Sequence, residues 1–213
     1  MKTKSFFPRL KKQLAFTMIE LLIVIAILGI LAVAVLSAIN PIEQINRGRD
    51  TGSRSDAEQL LSAIERFYAM TGYYPWNTAV GQSPNLEWVE VNSGWVVDTS
   101  PFSQCPVLNR LSEVTSGLTT NCNDEPGTQE LKLSFVTKMD DDRNNRLNVY
   151  HNDSTYTSTY VCFAPQSNAM QQEAGERALT DLPEDYPVAK AIDNTDPIEE
   201  GGCGEKGNCI CLP

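Results

Sequence analysis

The 213-residue sequence predicts an α+β fold. A long N-terminal α-helix, membrane-spanning in its first half, packs on a small antiparallel β-sheet domain with disulfide-stapled loops. Three observations predict this. An unbroken apolar run lies near the N-terminus, an amphipathic helical pattern follows it, and short apolar runs separated by turn residues fill the remainder. Several of these short runs alternate apolar with polar residues, which is typical of antiparallel strands with one buried face.

The composition excludes several classes of protein. Hydrophobic residues make up 41% of the chain and charged residues 21%, which excludes a disordered acidic tail or a collagen-like repeat. The net charge of −10 argues against direct nucleic-acid binding, which needs a basic surface. The charge is also uneven, because residues 1–15 hold five basic residues and no acid. The remainder holds 12 basic and 27 acidic residues, a balance of −15.

The apolar run is long enough to cross a membrane. Between Met18 and Ile39 the only polar interruptions are Glu20 and Ser37. As a helix these 22 residues rise about 33 Å, against roughly 30 Å for a hydrocarbon core. The cations before the run place the N-terminus in the cytoplasm. A cleaved secretory signal has a shorter apolar region, and neither such a signal nor a plain anchor accounts for an acid in apolar surroundings.

Residues Lys11 to Leu31 resemble the class III signal of type IV pilins and type II secretion pseudopilins, above all in FTMIELLIVIAILGILAVAV. The resemblance implies that a prepilin peptidase removes residues 1–15 in the cytoplasm. Ala15 is then the last leader residue, Phe16 becomes the N-methylated terminus, and Glu20 is the acid four residues further on. Two features depart from the usual pattern: Ala15 replaces glycine, and Ser37 stands where many pilins have a proline.

The function that this resemblance implies is a structural subunit, a prepilin of a type IV pilus-like filament, and not an enzyme. Its alternatives are a type II secretion pseudopilin and a minor tip or adhesin pilin that binds a surface ligand. Expected partners are copies of the chain and related pilins, the prepilin peptidase, the inner-membrane assembly machinery, and lipid before assembly. The subunit is expected first as a single-pass inner-membrane protein and later in a surface filament. No cofactor or metal is expected. The filament-core helix residues are Leu21, Leu22, Ile25, Leu28 and Gly29.

Glu20 has a physical role that follows from its position. After cleavage the Phe16 amine is a cation, and four helical residues place the Glu20 carboxylate at a similar depth, about 6 Å along the axis. Each charge alone is costly in lipid, and pairing removes most of that cost. A neighbouring subunit shifted along the axis can offer its amine to this carboxylate. Glu20 is therefore predicted to set the assembly register.

Three parts of the chain follow from these patterns. Residues 1–15 form the leader, residues 16–71 one long helix with 18–39 as transmembrane segment and filament core, and residues 72–213 an extracytoplasmic β-rich domain. Asn40 and Pro41 break or kink the helix, because proline lacks an N–H group and disfavours helix at the preceding residue. Thr71-Gly72 ends it.

The β-rich domain is predicted from its short runs. Two strands flank Asn92-Ser93-Gly94 as a hairpin, three more follow later in the chain, and a short helix lies near the end. The predicted strands are Leu86–Val91, Trp95–Val97, Leu131–Phe135, Leu147–Tyr150 and Thr155–Phe163, and the helix is Met170–Leu179. Trp88, Trp95 and the tyrosines are interpreted as core and sheet residues rather than a ligand site.

All six cysteines lie beyond the apolar run, and disulfides are the favoured interpretation in an exported domain. A bond between Cys105 and Cys122 would staple a loop. A bond from Cys162 to one of the last three cysteines would pin the C-terminal tail, as the resemblance to pilins also implies. The close trio near the C-terminus has a metal site as its alternative. The candidates are Cys105, Cys122, Cys162, Cys203, Cys209 and Cys211.

Asp140 to Asn145 alternates oxygen ligands like the start of a calcium loop. The loop lacks the glycine at its sixth position, and His151 stands where the closing glutamate is needed, so a polar hairpin turn is the favoured interpretation. His151 is the single histidine. No nucleophile motif, metalloprotease motif or phosphate loop accompanies it.

Overall fold

The structure is a computed structural model that describes residues 16–97, 105–112, 122, 127–141, 146–153, 157–177, 183, 185–187 and 209–213. The chain forms two compact units, one ending at Ile42 and one beginning at Glu43. The elements in chain order are α1 (Met18–Ala38), α2 (Pro41–Thr71), β1 (Leu86–Glu90), β2 (Val96–Val97), β3 (Cys105–Pro106), α3 (Val107–Leu111), α4 (Leu133–Asp141), β4 (Leu147–His151), β5 (Thr159–Phe163), α5 (Asn168–Arg177) and β6 (Ile210–Leu212).

The helical segment predicted over residues 16–71 is interrupted between α1 and α2. Ile39 has extended backbone angles (φ −99°, ψ 130°), and its N–H group donates the last bond of α1 to the Val35 carbonyl at 3.2 Å. Helix α2 restarts at Pro41, where the missing N–H group costs nothing because first-turn N–H groups have no partner inside the helix.

Helix α2 buries one stripe and ends at a glycine. The buried positions recur every three or four residues. Gly72 has a φ of +78°, and its N–H group donates to the Tyr68 carbonyl at 2.8 Å, so the helix closes with a left-handed residue. Ile42 and Ile45, which continue the apolar pattern in the sequence, are exposed. The buried residues of α2 are Asp50, Ser53, Asp56, Ala57, Leu60, Ala63, Ile64 and Phe67.

A four-stranded antiparallel sheet in the order β1-β4-β5-β6 forms the centre of the second unit. Its face that carries Leu147, Val149 and Phe163 belongs to the same buried cluster as Leu60 and Ile64 of α2. The strands and the helix therefore share one core, and the predicted α+β class is confirmed. The opposite face carries a smaller cluster: Tyr160, Cys162, Cys209 and Cys211, with Trp88, Tyr150 and Tyr186 beside them.

The hairpin predicted around residues 92–94 is wrong. The turn does form, since Gly94 donates its N–H group to the Asn92 side chain at 2.8 Å. Its two arms separate, however: β1 pairs with β4, while β2 pairs with β3 in a second sheet of two strands. A turn motif determines only a local reversal, whereas the pairing of each arm depends on distant segments.

The strand predicted over Leu131–Phe135 is also wrong, because α4 begins at Leu133. Residue 131 makes only an isolated parallel bridge to Ser112. Phe135, Val136 and Met139 are buried, a helical spacing, and this burial overrides the alternation of the preceding residues. The strand predicted at 147–150 is confirmed as β4, and the one predicted over 155–163 is confirmed from Thr159 onward as β5, with residues 155–156 outside the described residues. The helix predicted over 170–179 is confirmed as α5, which begins two residues earlier, and residues 178–179 lie outside the described residues.

Two disulfides join positions that the sequence singled out. Cys105 bonds to Cys122 across 17 residues, and Cys162 of β5 bonds to Cys211, its register partner on β6, across 49 residues. Cys209 is disulfide-bonded as well, and Cys203 lies outside the described residues. The metal alternative for the C-terminal trio is wrong, since Cys209 and Cys211 have no thiolate to offer.

Candidate functional site

Helix α1 exposes its large apolar side chains on every side. Their exposed fractions run from 48% at Val24 to 91% at Met18. Surface of this kind is unfavourable in water and marks a site for lipid or protein contact. Met18–Ser37 is also long and apolar enough to cross a membrane, by length and composition. Of the predicted core residues, Gly29 has open space around its Cα, and four are exposed: Leu21, Leu22, Ile25 and Leu28.

Glu20 lies in the first turn of α1 and closes a capping box with Thr17. Its carboxylate accepts hydrogen bonds from the Thr17 backbone N–H group at 2.9 Å and from the Thr17 hydroxyl at 2.8 Å. The Glu20 N–H group in turn donates to the Thr17 hydroxyl oxygen at 3.3 Å. A carboxylate there also meets the positive end of the helix dipole. The acid is therefore held within one turn of Phe16, which directly precedes Thr17.

Ser37 and Asn40 mark the other end of α1. The Ser37 hydroxyl donates to the Ala34 carbonyl at 2.8 Å, a bond that stays inside the helix. Asn40 lies between the helices, and Pro41 is the first residue of α2. Both predicted break residues thus lie at the interruption. Ala15 lies outside the described residues.

Two acids of α2 hold the segment that leads into α5. Asp50, 1% exposed, accepts hydrogen bonds from the backbone N–H groups of Gln166 and Ser167, each at 2.8 Å. Glu43 accepts from the first N–H groups of α5, those of Asn168 at 3.1 Å and Ala169 at 3.4 Å. The Asn168 N–H group chiefly lowers the pKa of the Glu43 carboxyl. No pattern in the sequence singled out either acid.

The arginines of α2 make surface contacts. Arg47 pairs with Glu43 at 3.2 Å, and Arg54 pairs with Glu58 at 3.8 Å. Arg49 reaches the side chain of Gln166 at 3.4 Å. Exposed pairs of this kind contribute little to stability.

His151 is a core residue. It is 2% exposed, its Nδ1 lies 3.0 Å from the Thr159 hydroxyl, and its ring centre is 4.5 Å from that of Tyr74 and 6.0 Å from that of Trp76. Burial lowers its pKa. The aromatic rings and the Thr159 hydroxyl thus hold the imidazole inside the core of the second unit.

Only part of the candidate calcium loop, Asp140 to Asn145, lies among the described residues. The Asp140 carboxylate accepts the Ser93 N–H group at 2.7 Å, and residues 142–145 lie outside the described residues. Across the described ranges, no group of three or more His, Cys, Asp or Glu side chains is placed to hold a metal ion.

A buried arginine fixes the exit from α2. Arg110 of α3 is 7% exposed and donates hydrogen bonds to the carbonyls of Pro75 and Asn77. Its guanidinium lies 5.1 Å from the ring centre of Phe67 and 5.7 Å from that of Tyr73. The cation is thus compensated by carbonyls and aromatic faces together. No pattern in the sequence indicated this contact.

Residues 10–36 match the family model described as the prokaryotic N-terminal methylation motif. This motif is the class III signal of type IV pilins and pseudopilins. It implies processing by a prepilin peptidase and assembly with other pilins, and it points to a structural protein anchored in the inner membrane. No curated protein and no solved structure matches the chain.

Proposed function

We propose that the chain is a prepilin, the structural subunit of a type IV pilus-like filament, and that it assembles through α1. One coincidence carries the proposal. The methylation motif covers residues 10–36, and the part of it from Met18 onward lies in α1, a helix whose large apolar side chains are exposed and whose first turn holds Glu20. In this proposal the chain is a packing component and not an enzyme.

Processing creates the charge that Glu20 needs. In this proposal the peptidase cuts between Ala15 and Phe16, and the new amine carries a positive charge with a reference pKa near 8. The Glu20 carboxylate already lies within one turn of that position, held by Thr17 at 2.8 and 2.9 Å. Exchange of these hydrogen bonds for the amine of a neighbouring subunit sets the axial register.

The apolar side chains of α1 supply the driving force for packing. In the membrane they face lipid, and in a filament they face the same helix of neighbouring subunits. Lipid tails are as apolar as these side chains, so association from the membrane depends on packing between helices. In the finished filament, exposure to water of one side chain such as Leu22 or Leu28 would cost about 1.5–3 kcal/mol, which holds the core together. Gly29, with open space around it, lets a neighbouring helix approach closely.

The sheet domain forms the outer surface of the filament in this proposal. The two disulfides described above stabilise a domain that works outside the cytoplasm. The exported part has 12 basic and 27 acidic residues, so the filament surface is acidic. Expected partners are copies of the chain, related pilins and the inner-membrane assembly machinery.

The deciding experiment is mass spectrometry of the mature N-terminus. The chain is expected to begin at N-methylated Phe16. A chain that begins at Met1, or near Ile39 after cleavage as a secretory signal, contradicts the proposal. Ala15→Gly is expected to be cleaved at least as completely as wild type, and Ala15→Arg to remain unprocessed, because the last leader residue is a small one in this class of signal.

The location of the mature chain separates the pilus subunit from its alternatives. Long filaments outside the cell that contain many copies support the main proposal. Confinement to the envelope indicates a pseudopilin. A few copies at the end of filaments made from another pilin indicate a tip subunit.

A further inference from the structure

The first turns of α2 carry exposed side chains of two kinds. Ile45 is 57% exposed, and the guanidinium groups of Arg47 and Arg49 lie on the surface beside it. None of the three belongs to the buried residues of α2. Together Ile45, Arg47 and Arg49 form the basic surface of α2. Exposed apolar and cationic side chains on neighbouring turns are typical of helices that contact a membrane surface.

The acids of these turns are turned inward, which leaves the exposed charge positive. Asp50 is 1% exposed and accepts the N–H groups of Gln166 and Ser167. The Glu43 side chain is 14% exposed, and its oxygens accept the first N–H groups of α5. The Arg47 side chain, by contrast, is 53% exposed. The exported part, with 12 basic and 27 acidic residues, therefore presents positive charge at this end of α2.

Both guanidinium groups have donors beyond those that bind inside the protein. Arg47 donates through Nε to the Glu43 carboxylate at 3.2 Å, and Arg49 donates through Nη1 to the Gln166 side-chain oxygen at 3.4 Å. A guanidinium group has five N–H donors in a planar fork, and this fork matches the oxygens of a phosphate. The other donors are able to bind an anion of that shape.

The basic surface follows the candidate membrane span closely in the chain. The span ends at Ser37, and α2 begins at Pro41. Along α2, Arg47 and Arg49 lie about 9 and 12 Å beyond Pro41. The Cα–Cβ bonds of a helix tilt toward its N-terminus, and the polar layer of one leaflet is about 5–8 Å thick. At any tilt of α2, both guanidinium groups therefore stay within reach of lipid headgroups.

We propose that the basic surface of α2 binds the phosphate of an anionic phospholipid headgroup while α1 spans the membrane. Acidic side chains of a neighbouring subunit are the competing anions, since the exported part is acidic. A hydrated acidic surface would leave Ile45 in water, whereas the membrane interface accepts an apolar side chain beside a cation. The exposed isoleucine and the position just after the span favour the lipid.

This contact rests on the anchoring of α1 in the membrane, which the proposed function includes, and not on filament assembly. It belongs to the subunit before assembly. An anchored chain that never forms a filament would still make it.

The test uses the full chain in lipid nanodiscs with one chain per disc, so that no neighbouring subunit supplies an anion. The discs contain either phosphatidylcholine or a mixture of phosphatidylcholine and phosphatidylglycerol. Arginine carries an isotope label at its guanidinium carbon. Solid-state NMR then measures how far lipid phosphorus dephases the guanidinium signals, an effect that requires a separation of a few ångström.

The mixed bilayer is expected to give at least about twofold stronger dephasing than phosphatidylcholine, because each arginine near an anionic surface favours contact about fivefold. Salt at about 1 M is expected to remove this difference, since the attraction is then screened within about 3 Å.

Variants assign the effect to the basic surface. The double substitution Arg47→Gln and Arg49→Gln is expected to lose most of the dephasing that the anionic lipid adds. Arg66→Gln is the matched control, because Arg66 is an exposed arginine of the same helix in an ion pair with Glu130 at 3.0 Å. It lies about 26 Å further along α2 than Arg49, and its loss is expected to leave the dephasing of the other arginines as in wild type.

Three results overturn the proposal. The first is equal dephasing in the two bilayers, which removes the preference for an anionic headgroup. The second is equal loss in the double variant and in Arg66→Gln, which shows that the contact is not at the first turns of α2. The third is the absence of dephasing in a folded chain, which assigns these arginines to subunit contacts. Each of them leaves the proposed function intact, whereas a chain that does not insert into the discs overturns both proposals.

Discussion

At the scale of single residues, two carboxylates act in opposite settings. Asp50 is 1% exposed and accepts two backbone N–H groups, so its interactions are complete inside the folded domain. Glu20 is exposed on α1, and within the part of the chain that the structure describes its carboxylate accepts hydrogen bonds from Thr17 of the same turn. The Asp50 carboxylate therefore stabilises the folded domain. The Glu20 carboxylate is accessible to a neighbouring molecule, and one substitution at each residue tests these two roles.

Glu20→Gln is expected to be cleaved and methylated like wild type but to assemble at least about tenfold less well, because an unpaired amine in the apolar filament core costs several kcal/mol. Glutamine preserves the capping box, so α1 itself is retained. The measurement is the ratio of sheared filaments to membrane-bound subunit. Glu87→Gln, at an exposed acid of β1, is the control. Equal assembly of Glu20→Gln and wild type contradicts the register role.

Asp50→Ala is expected to lower the free energy of unfolding by about 2–3 kcal/mol, because it leaves the buried N–H groups of Gln166 and Ser167 without an acceptor. Urea denaturation of the full chain in micelles measures this. Gln59→Ala, at an exposed position on the same helix, should change stability by less than about 0.5 kcal/mol. A similar small effect of both substitutions would show that Asp50 does not hold this segment.

At the scale of elements, the two ends of α2 are built differently. Its first turns attach to residues 166–169 through polar side chains, and its last turns pack on the sheet through Leu60, Ile64 and Phe67. Its C-terminus then depends on one backbone conformation, that of Gly72 with a φ of +78°. Glycines inside the helix have no such requirement.

Two glycine substitutions are expected to have opposite signs. Gly72→Ala should destabilise the chain by about 1 kcal/mol or more, because alanine is strained at the φ of +78° that this position requires. Gly48→Ala, inside α2 with open space around it, should stabilise it by about 0.5–1 kcal/mol. Thermal denaturation in micelles compares them. Effects of the same sign would contradict the left-handed closure of α2.

At the scale of the whole molecule, the pH dependence of stability reports which groups change their pKa when the chain folds. Burial lowers the pKa of His151 from 6.5, so the unfolded chain binds its proton first and stability falls as pH drops below 6.5. The pKa of Glu43 is lowered from 4.5, and its contribution is lost as pH falls through that region. Burial raises the pKa of Tyr160 to about 12, so the unfolded chain loses its proton first and stability falls as pH rises above 10.

The chain is therefore expected to be most stable between pH 6.5 and pH 10. These limits are the pKa values of His151 and Tyr160 in the unfolded chain. Urea denaturation at a series of pH values measures the plateau. His151→Phe should flatten the slope just below pH 6.5 and leave the loss above pH 10 unchanged. An unchanged slope below pH 6.5 in this variant would assign the acid sensitivity to other groups.

The sequence alone was sufficient to predict an element of the fold where the residue pattern is local. The apolar run predicts α1, and the stripe from Ala57 to Tyr68 predicts the buried face of α2 except for Tyr68, which is exposed. Alternation predicts β4 and β5, although the same signal fails at Leu131–Phe135. It also singled out Cys105 with Cys122 and the attachment of Cys162 to the C-terminal tail, although six cysteines left the connectivity open. These features depend on periodicity or spacing, which a chain carries in its order of residues.

Only the tertiary structure decided the rest. It places residues 133–141 in a helix, separates the two arms of the turn at 92–94, and chooses Cys211 as the partner of Cys162. It also reveals the contacts of Asp50 and the buried Arg110, which join segments 116 and 35 residues apart. The physical reason is the same in each case. Burial and hydrogen bonding between distant segments outweigh local preference, and their partners are not written in the neighbouring sequence.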